Sequence, residues 1–154
     1  MNTTIITPLK ALEKARAYCA FQERCHSEMK TKLYSWKLHK KEVEEIIAQL
    51  ITEGFLNEER FAIAFAGGKF RIKKWGKEKI RQALKAKSVS DYSINKALSL
   101  IEQKDIKKTI QDIIAKKAPT IKESNPLKKR YKIAQYLMSR GFDKDLVWDI
   151  MGEE

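Results

Sequence analysis

The sequence predicts an all-α protein: three tandem three-helix repeats forming an elongated, curved helical array. Three observations carry this. Lys, Glu, Ala, Leu and Ile dominate while Gly (6) and Pro (3) are scarce, so helix is favoured almost throughout the 154 residues. Apolar residues recur at three- and four-residue spacing, and no stretch alternates as a strand does. The pattern itself then recurs. Leu33, Leu84 and Leu137 align; Met29, Ile80 and Ile133 stand four residues before them; Leu38, Val89 and Phe142 stand five after, and Val43, Ile94 and Val147 ten after. Constant spacing across a turn, with an apolar residue at the turn itself, separates a repeat from a chance series of amphipathic helices. The expected units are residues 8–53, 54–104 and 105–154. Each buries part of its neighbour, and the middle one is the most basic.

The elements follow in order. Thr7 caps the first helix and Pro8 takes its first position, where a missing N–H costs nothing. Leu9, Leu12, Ala15, Tyr18 and Cys19 form its buried stripe. Ser27 is expected to cap the second helix, with Glu28 at the positive end of the dipole and Met29, Leu33 and Trp36 inward. The third carries Val43, Ile46, Ile47 and Leu50 and stops at Gly54. Asn57 caps the fourth, and Glu58 and Glu59 occupy its first turn. Phe61, Phe65 and Ile72 are read as its inner face, which turns Phe70 outward. Gly76 breaks the run, and the fifth helix buries Ile80, Ala83 and Leu84. Ser90 caps the sixth, with Ile94, Ala97, Leu98 and Ile101 inward. Asp105 is read as the start of the seventh, which buries Ile106, Ile110, Ile113 and Ile114 and ends at Ala118-Pro119. Residues 119–125 are the one predicted loop or hinge. Asn125-Pro126 opens the eighth helix, with Leu127, Tyr131, Ala134, Leu137 and Met138 inward. Gly141 closes it, and Asp143 caps the ninth, with Leu146, Val147, Ile150 and Met151 inward.

The net charge of +12 points to a polyanionic partner: nucleic acid or a nucleoprotein assembly first, an anionic membrane surface second. The charge is concentrated. Residues 69–87 hold nine bases against Glu78, and residues 116–132 hold seven against Glu123, so the rest of the chain is slightly acidic. The candidate binding face is Lys69, Arg71, Lys73, Lys74, Lys77, Arg81 and Lys85, together with Lys128, Lys129 and Arg130. Lys77, Arg81 and Lys85 follow helical spacing and are read as one solvent-facing stripe. Phe70 and Trp75, set among these bases, are candidates for stacking or interface contact; packing against an adjacent repeat is the competing reading. Sequence-specific groove reading is disfavoured. In a helix-turn-helix of residues 77–87 and 91–102 the second helix would be the reader, and it offers only Lys96 against Asp91 and Glu102.

Nothing points to catalysis, a cofactor or a metal. Gly67-Gly68-Lys69 lacks the spacing of a phosphate-binding loop. Cys25, His26 and His39 match no zinc pattern. Cys19 and Cys25 are too few for a disulfide framework and read as reduced thiols. No apolar run approaches the roughly 20 residues of a membrane span, and the first residues lack the pattern of a signal peptide. A cytoplasmic, monomeric protein with no membrane partner is expected.

Four stretches resemble the RecX family, regulators of the RecA recombinase. The opening match is Tyr18-Cys19-Ala20 with Arg24-Cys25-His26-Ser27-Glu28-Met29 and Lys32-Leu33. The most specific is Leu50 with Gly54-Phe55-Leu56-Asn57-Glu58-Glu59-Arg60-Phe61-Ala62. Arg71, Gly76, Ile80 and Leu84 are similar to the family's basic second repeat. Lys129-Arg130, Leu137, Arg140-Gly141-Phe142 and Ile150 are similar to its C-terminal repeat. Two residues depart from the pattern. Asn57 stands where Asp is usual, and Asn caps equally well. Ser88 replaces the usual turn glycine, which implies a different or looser turn. The resemblance covers about residues 15–151. It implies a non-enzymatic protein that binds along the groove of the RecA–DNA filament. It also implies inhibition of RecA's ATPase, strand-exchange and coprotease activities, filament disassembly, and a place in recombination, DNA repair and the SOS response. The alternative that the residues leave open is a general nucleic-acid-binding helical module without a RecA partner. The face would then meet single- or double-stranded DNA alone.

Overall fold

The computed structural model describes residues 6–152; residues 1–5, on which the signal-peptide expectation rests, and 153–154 lie outside the described residues. Among the described residues nine α-helices follow one another: α1 (Pro8–Phe21), α2 (His26–Ser35), α3 (Lys40–Thr52), α4 (Glu58–Arg71), α5 (Lys77–Ala86), α6 (Asp91–Ser99), α7 (Gln103–Lys117), α8 (Pro126–Ser139) and α9 (Lys144–Gly152). A short 3₁₀ turn, Ala118–Thr120, enters the predicted loop. The described residues contain no strand. The first helix of each trio packs against its third, most extensively α4 against α6.

The repeat is visible in the backbone. Lys37, Ser88 and Gly141 occupy the same place, four residues after the aligned leucines, and all three are left-handed, at φ 65°, 63° and 96°. Each ends the second helix of its unit. The Val89 N–H then reaches back to the Leu84 carbonyl (3.1 Å) and the Phe142 N–H to that of Leu137 (3.2 Å). This closure turns the following apolar residue inward, and Leu38, Val89 and Phe142 are all buried. Ser88 therefore makes the same turn as glycine, with a Cβ in a conformation that disfavours one by about 1–2 kcal/mol. Ser88→Gly is expected to stabilise the protein by about 0.5–1 kcal/mol once glycine's freer unfolded chain is subtracted. The check is a higher urea midpoint at an unchanged slope; an unaltered midpoint would show that the turn is unstrained.

Two cores result. Helices α1–α3 share one, built on Leu12, Met29, Leu33, Val43 and Leu50 and joined by Leu56 from beyond Gly54. Helices α4–α9 share the other, running from Phe61 through Ile80, Leu84 and Ile110 to Leu137 and Ile150, and Cys25 of the first unit crosses into it. The accessible area is 10003 Å² for 17.9 kDa, where a compact monomer of that mass exposes about 8000 Å². The row of trios is elongated.

Successive units dock at equivalent positions. Cys25 and Gly76 each precede the second helix of their unit, and each start abuts the left-handed turn of the next unit. At the first joint the Ser27 hydroxyl donates to the Lys87 carbonyl (2.8 Å), and the Lys87 ammonium lies 3.5 Å from Glu28. At the second the Gly76 N–H donates to the Arg140 carbonyl (2.7 Å) and the Glu78 N–H to that of Gly141 (3.0 Å). The first joint rests on side chains, the second on backbone.

Several expectations are corrected. Cys25, not Ser27, is the cap residue of α2. Its N–H is satisfied by Glu28 Oε1 (3.0 Å), so the helix starts earlier and frees the Ser27 hydroxyl for the joint. Helix α7 starts at Gln103, two residues before Asp105, because the Glu102 carbonyl already accepts from Ile106 (3.1 Å). Helix α6 ends at Ser99 rather than at 102. On α4 the inner stripe is Ala62, Ala66 and Phe70 beside Phe61. The alanines admit a close approach of α6, which pulls Phe70 into the core and leaves Ile72 77% exposed just past the helix end. Leu9 and Leu127 are exposed rather than inward, each the second residue of its helix, and Tyr131 is exposed although its ring lies beside that of Trp148 (centroids 6.1 Å apart).

Glu58 shows how the cap chemistry ties α4 to α6. Its carboxylate accepts from the Ser90 N–H (2.8 Å), the Ser90 hydroxyl (2.9 Å) and the Ser93 hydroxyl (3.1 Å). Burial alone would raise its pKa, but these donors together outweigh burial and hold it below the ordinary carboxylate value. A depressed folded pKa contributes stability above the unfolded value of about 4.3, and that contribution is lost as pH falls through the folded one. Glu58→Gln is therefore expected to flatten the acid limb of the stability curve, and urea midpoints taken from about pH 6 down to about pH 3 will show it. Parallel curves for the two proteins would exclude the role.

Candidate polyanion-binding face

The face is built where α4 ends. Its chain terminates at Arg71 and turns through the left-handed Lys74 (φ 58°), with the Trp75 N–H closing on the Lys69 carbonyl (3.2 Å). This projects Arg71, Lys73 and Lys74 into solvent. The loop is anchored twice to the third unit. Gly76 and Glu78 bond the turn at Arg140–Gly141, and the Arg140 guanidinium donates to the Lys73 carbonyl. A Cβ on Gly76 would lie 2.3 Å from the carbonyl carbon and oxygen of Gly141, so only glycine permits the approach.

The structure sorts the sequence candidates into three groups. Lys69, Arg71, Lys73, Lys74 and Lys77 lie together along the end of α4, the loop and the start of α5. Among the described residues, no carboxylate comes within 4.0 Å of their charged groups. Arg81 and Lys85 continue along α5 but are engaged within the chain. Arg81 donates to Asn95 Oδ1 (2.8 Å) and lies 3.9 Å from Glu78, and Lys85 lies 3.8 Å from Asp91. Lys128, Lys129 and Arg130 sit within the first five residues of α8, where Arg130 donates to the Met151 carbonyl (2.9 Å). Helix α8 carries them about 16 Å from Arg140, at 1.5 Å per residue, so they form a separate basic spot.

The aromatics divide as well. Phe70 is core and drops out. Trp75 packs against the core of the second and third units, with the Lys69 ammonium 4.9 Å and the Lys79 ammonium 4.7 Å from its ring centroid. It holds two bases in place by cation–π attraction.

Three bases at this surface are not among the sequence candidates: Lys79, Lys116 and Arg140. Lys116 and Lys74 line one 300 Å³ cleft between the loop and α7. Arg140 could have been found from the repeat, since it and Lys87 stand three residues after the aligned leucines and both lie at joints. Lys116 could not, because only the docking of the third unit brings α7 to the loop. Among the described residues no cluster of three or more His, Cys, Asp or Glu is placed to hold a metal, and no helix is long and apolar enough to cross a membrane. Cys19 and Cys25 are free and buried, and burial raises both thiols above their ordinary pKa.

This architecture is shared with known proteins. The model of the RecX second three-helix domain matches residues 57–98, and that of the RecX third three-helix domain matches residues 105–151. The regulatory protein RecX of Prosthecochloris aestuarii is 28% identical over 144 residues, covering 94% of this chain and 93% of that protein. That of Bacillus mycoides is 22% identical over 90% of this chain but only 51% of its own length; the chain thus spans about half of some relatives and nearly all of others. The crystal structure of RecX from Lactobacillus salivarius superposes with a TM-score of 0.86 at 26% identity, covering 95% of both chains. With two adjoining family domains matched over more than half of its length, the chain belongs to the RecX family.

Proposed function

We propose that this protein regulates RecA nucleoprotein filaments by binding them through the basic loop between α4 and α5. It thereby inhibits or modulates ATP hydrolysis, strand exchange and coprotease activity. The observation that carries the reading is the Lys69–Lys77 segment: five bases without carboxylate partners among the described residues, on and on either side of a loop fixed by backbone hydrogen bonds to the next unit. A fixed row of charges suits a regular polyanionic lattice, and an elongated body with two separated basic spots suits a partner longer than one subunit. The protein acts in this reading as a cytoplasmic monomer, by binding and without chemistry of its own, and its relatives bear the name regulatory protein. The test is RecA-catalysed ATP hydrolysis on single-stranded DNA at low salt. Substoichiometric addition is expected to lower the rate, and an unchanged rate with the cognate RecA contradicts the proposal.

The concentrated charge also favours a second reading, a nucleic-acid-binding helical module with no RecA partner. Order of addition separates the two. A filament regulator acts on preformed filaments, whereas a DNA binder acts only while bare DNA remains.

A further inference from the structure

Beside the basic loop, between the first and second units, lies a groove of about 400 Å³. This is within the roughly 300–1,000 Å³ of pockets that enclose a ligand. Its floor is apolar: Phe61, Phe65 and Ile72, the last with 77% of its surface in water. Its rim is charged and lopsided. Glu23 is engaged by the Arg60 guanidinium, and Glu28 by the Cys25 N–H and the Lys87 ammonium. Lys69 and Lys73 have no such partner among the described residues. The Lys69 and Lys87 ammoniums stand 5.4 and 5.8 Å from the Phe65 ring centroid, on the edge of the apolar floor rather than away from it.

A surface that pairs unneutralised lysines with exposed aromatic and aliphatic carbon matches one kind of occupant. Phosphodiester alone would satisfy the lysines and leave Ile72 in water. A purely apolar segment would bury Ile72 and strand two ammoniums. A second copy of this chain brings +12 of like charge. We propose that the groove docks an acidic segment of a partner protein. One apolar side chain of that segment seats on Phe65 and Ile72, and its flanking carboxylates meet Lys69 and Lys73. The inference goes beyond the filament reading and does not need it, because it rests on the groove's own shape and charge.

Gly68 lines the groove from α4, and a Cβ built on it meets nothing within 4 Å. Gly68→Trp fills the space without altering a charge, and it replaces the poorer helix former of the two inside a helix. The probe is a fluorescein-labelled peptide with a central Leu-Phe pair flanked by aspartates, followed by anisotropy. Its controls replace Leu-Phe by Ser-Ser or the aspartates by lysines. Wild-type protein is expected to bind the acidic Leu-Phe peptide at least about tenfold more tightly than either control. Gly68→Trp should lose about the same factor while keeping its affinity for single-stranded oligothymidine and its thermal midpoint. Ile72→Ser, at an exposed position, should weaken the peptide likewise and serves if the tryptophan variant misfolds. Equal binding of the Leu-Phe and Ser-Ser peptides, absence of binding, or loss of oligothymidine in place of the peptide overturns the proposal. None of these readouts involves RecA, so the groove and the filament reading can fail separately.

Discussion

Gly76→Ala is expected to destabilise the protein by about 3 kcal/mol, far more than alanine for glycine costs at an ordinary site. The backbone at Gly76 (φ −78°, ψ 169°) is one that any residue adopts, so handedness is not the reason. Space is. The new Cβ would stand 2.3 Å from the Gly141 carbonyl carbon and oxygen and 2.4 Å from the Phe142 nitrogen, all of them backbone atoms with no rotamer to change. Relief requires the second and third units to part. Parting them breaks the Gly76 to Arg140 and Glu78 to Gly141 hydrogen bonds and pulls Arg140 from the Lys73 carbonyl, leaving polar groups without partners at about 1–3 kcal/mol each. Gly54 supplies the control. It is left-handed (φ 82°) with nothing near a Cβ, so Gly54→Ala carries only the conformational penalty of about 1 kcal/mol. Urea denaturation of the two variants should give unequal losses, with Gly76→Ala the larger. Equal losses would mean that the joint yields and that the loop is not held as described.

The same joint shows what the sequence could and could not disclose. The three trios, their caps at Thr7, Asn57, Ser90 and Asn125, and most core positions follow from local rules, since amphipathic period and capping act within one helix. Phe70 did not follow. Whether its stripe or that of Ile72 faces inward depends on α6 sliding close against Ala62 and Ala66, which is a property of the pair of helices. Gly76 reads as a helix breaker, whereas its purpose is the approach of a turn 65 residues later in the chain. The candidate face is legible as a charge run but not as a surface. Arg81 and Lys85 belong to the run yet find Glu78, Asn95 and Asp91 within the fold, and Lys128–Arg130 belong to the same total charge yet stand at the far end of α8. Charge counts add along a chain; binding faces depend on which charges folding leaves unpaired.

That distinction sets up the second large effect. Reversing Lys73 and Lys74 together to Glu is expected to weaken binding to single-stranded DNA, or to filaments on it, on the order of a hundredfold at low salt. The log–log salt slope should fall in magnitude by about 1.4, or about 0.7 for each phosphate no longer neutralised. Both side chains are exposed and without carboxylate partners among the described residues, so the fold loses nothing. At the left-handed Lys74, glutamate is no worse than lysine, because each carries a Cβ. The matched control is reversal of Arg81 and Lys85, which makes the same change in net charge at residues already partnered by Asn95, Glu78 and Asp91. If overall charge governs binding, the two double variants will behave alike. If the fixed loop is the contact, the first will lose most of its affinity and its effect on RecA hydrolysis while the second keeps both. A wild-type response from the Lys73/Lys74 variant would move the interface elsewhere, and the spot at Lys128–Arg130 would be the next place to reverse.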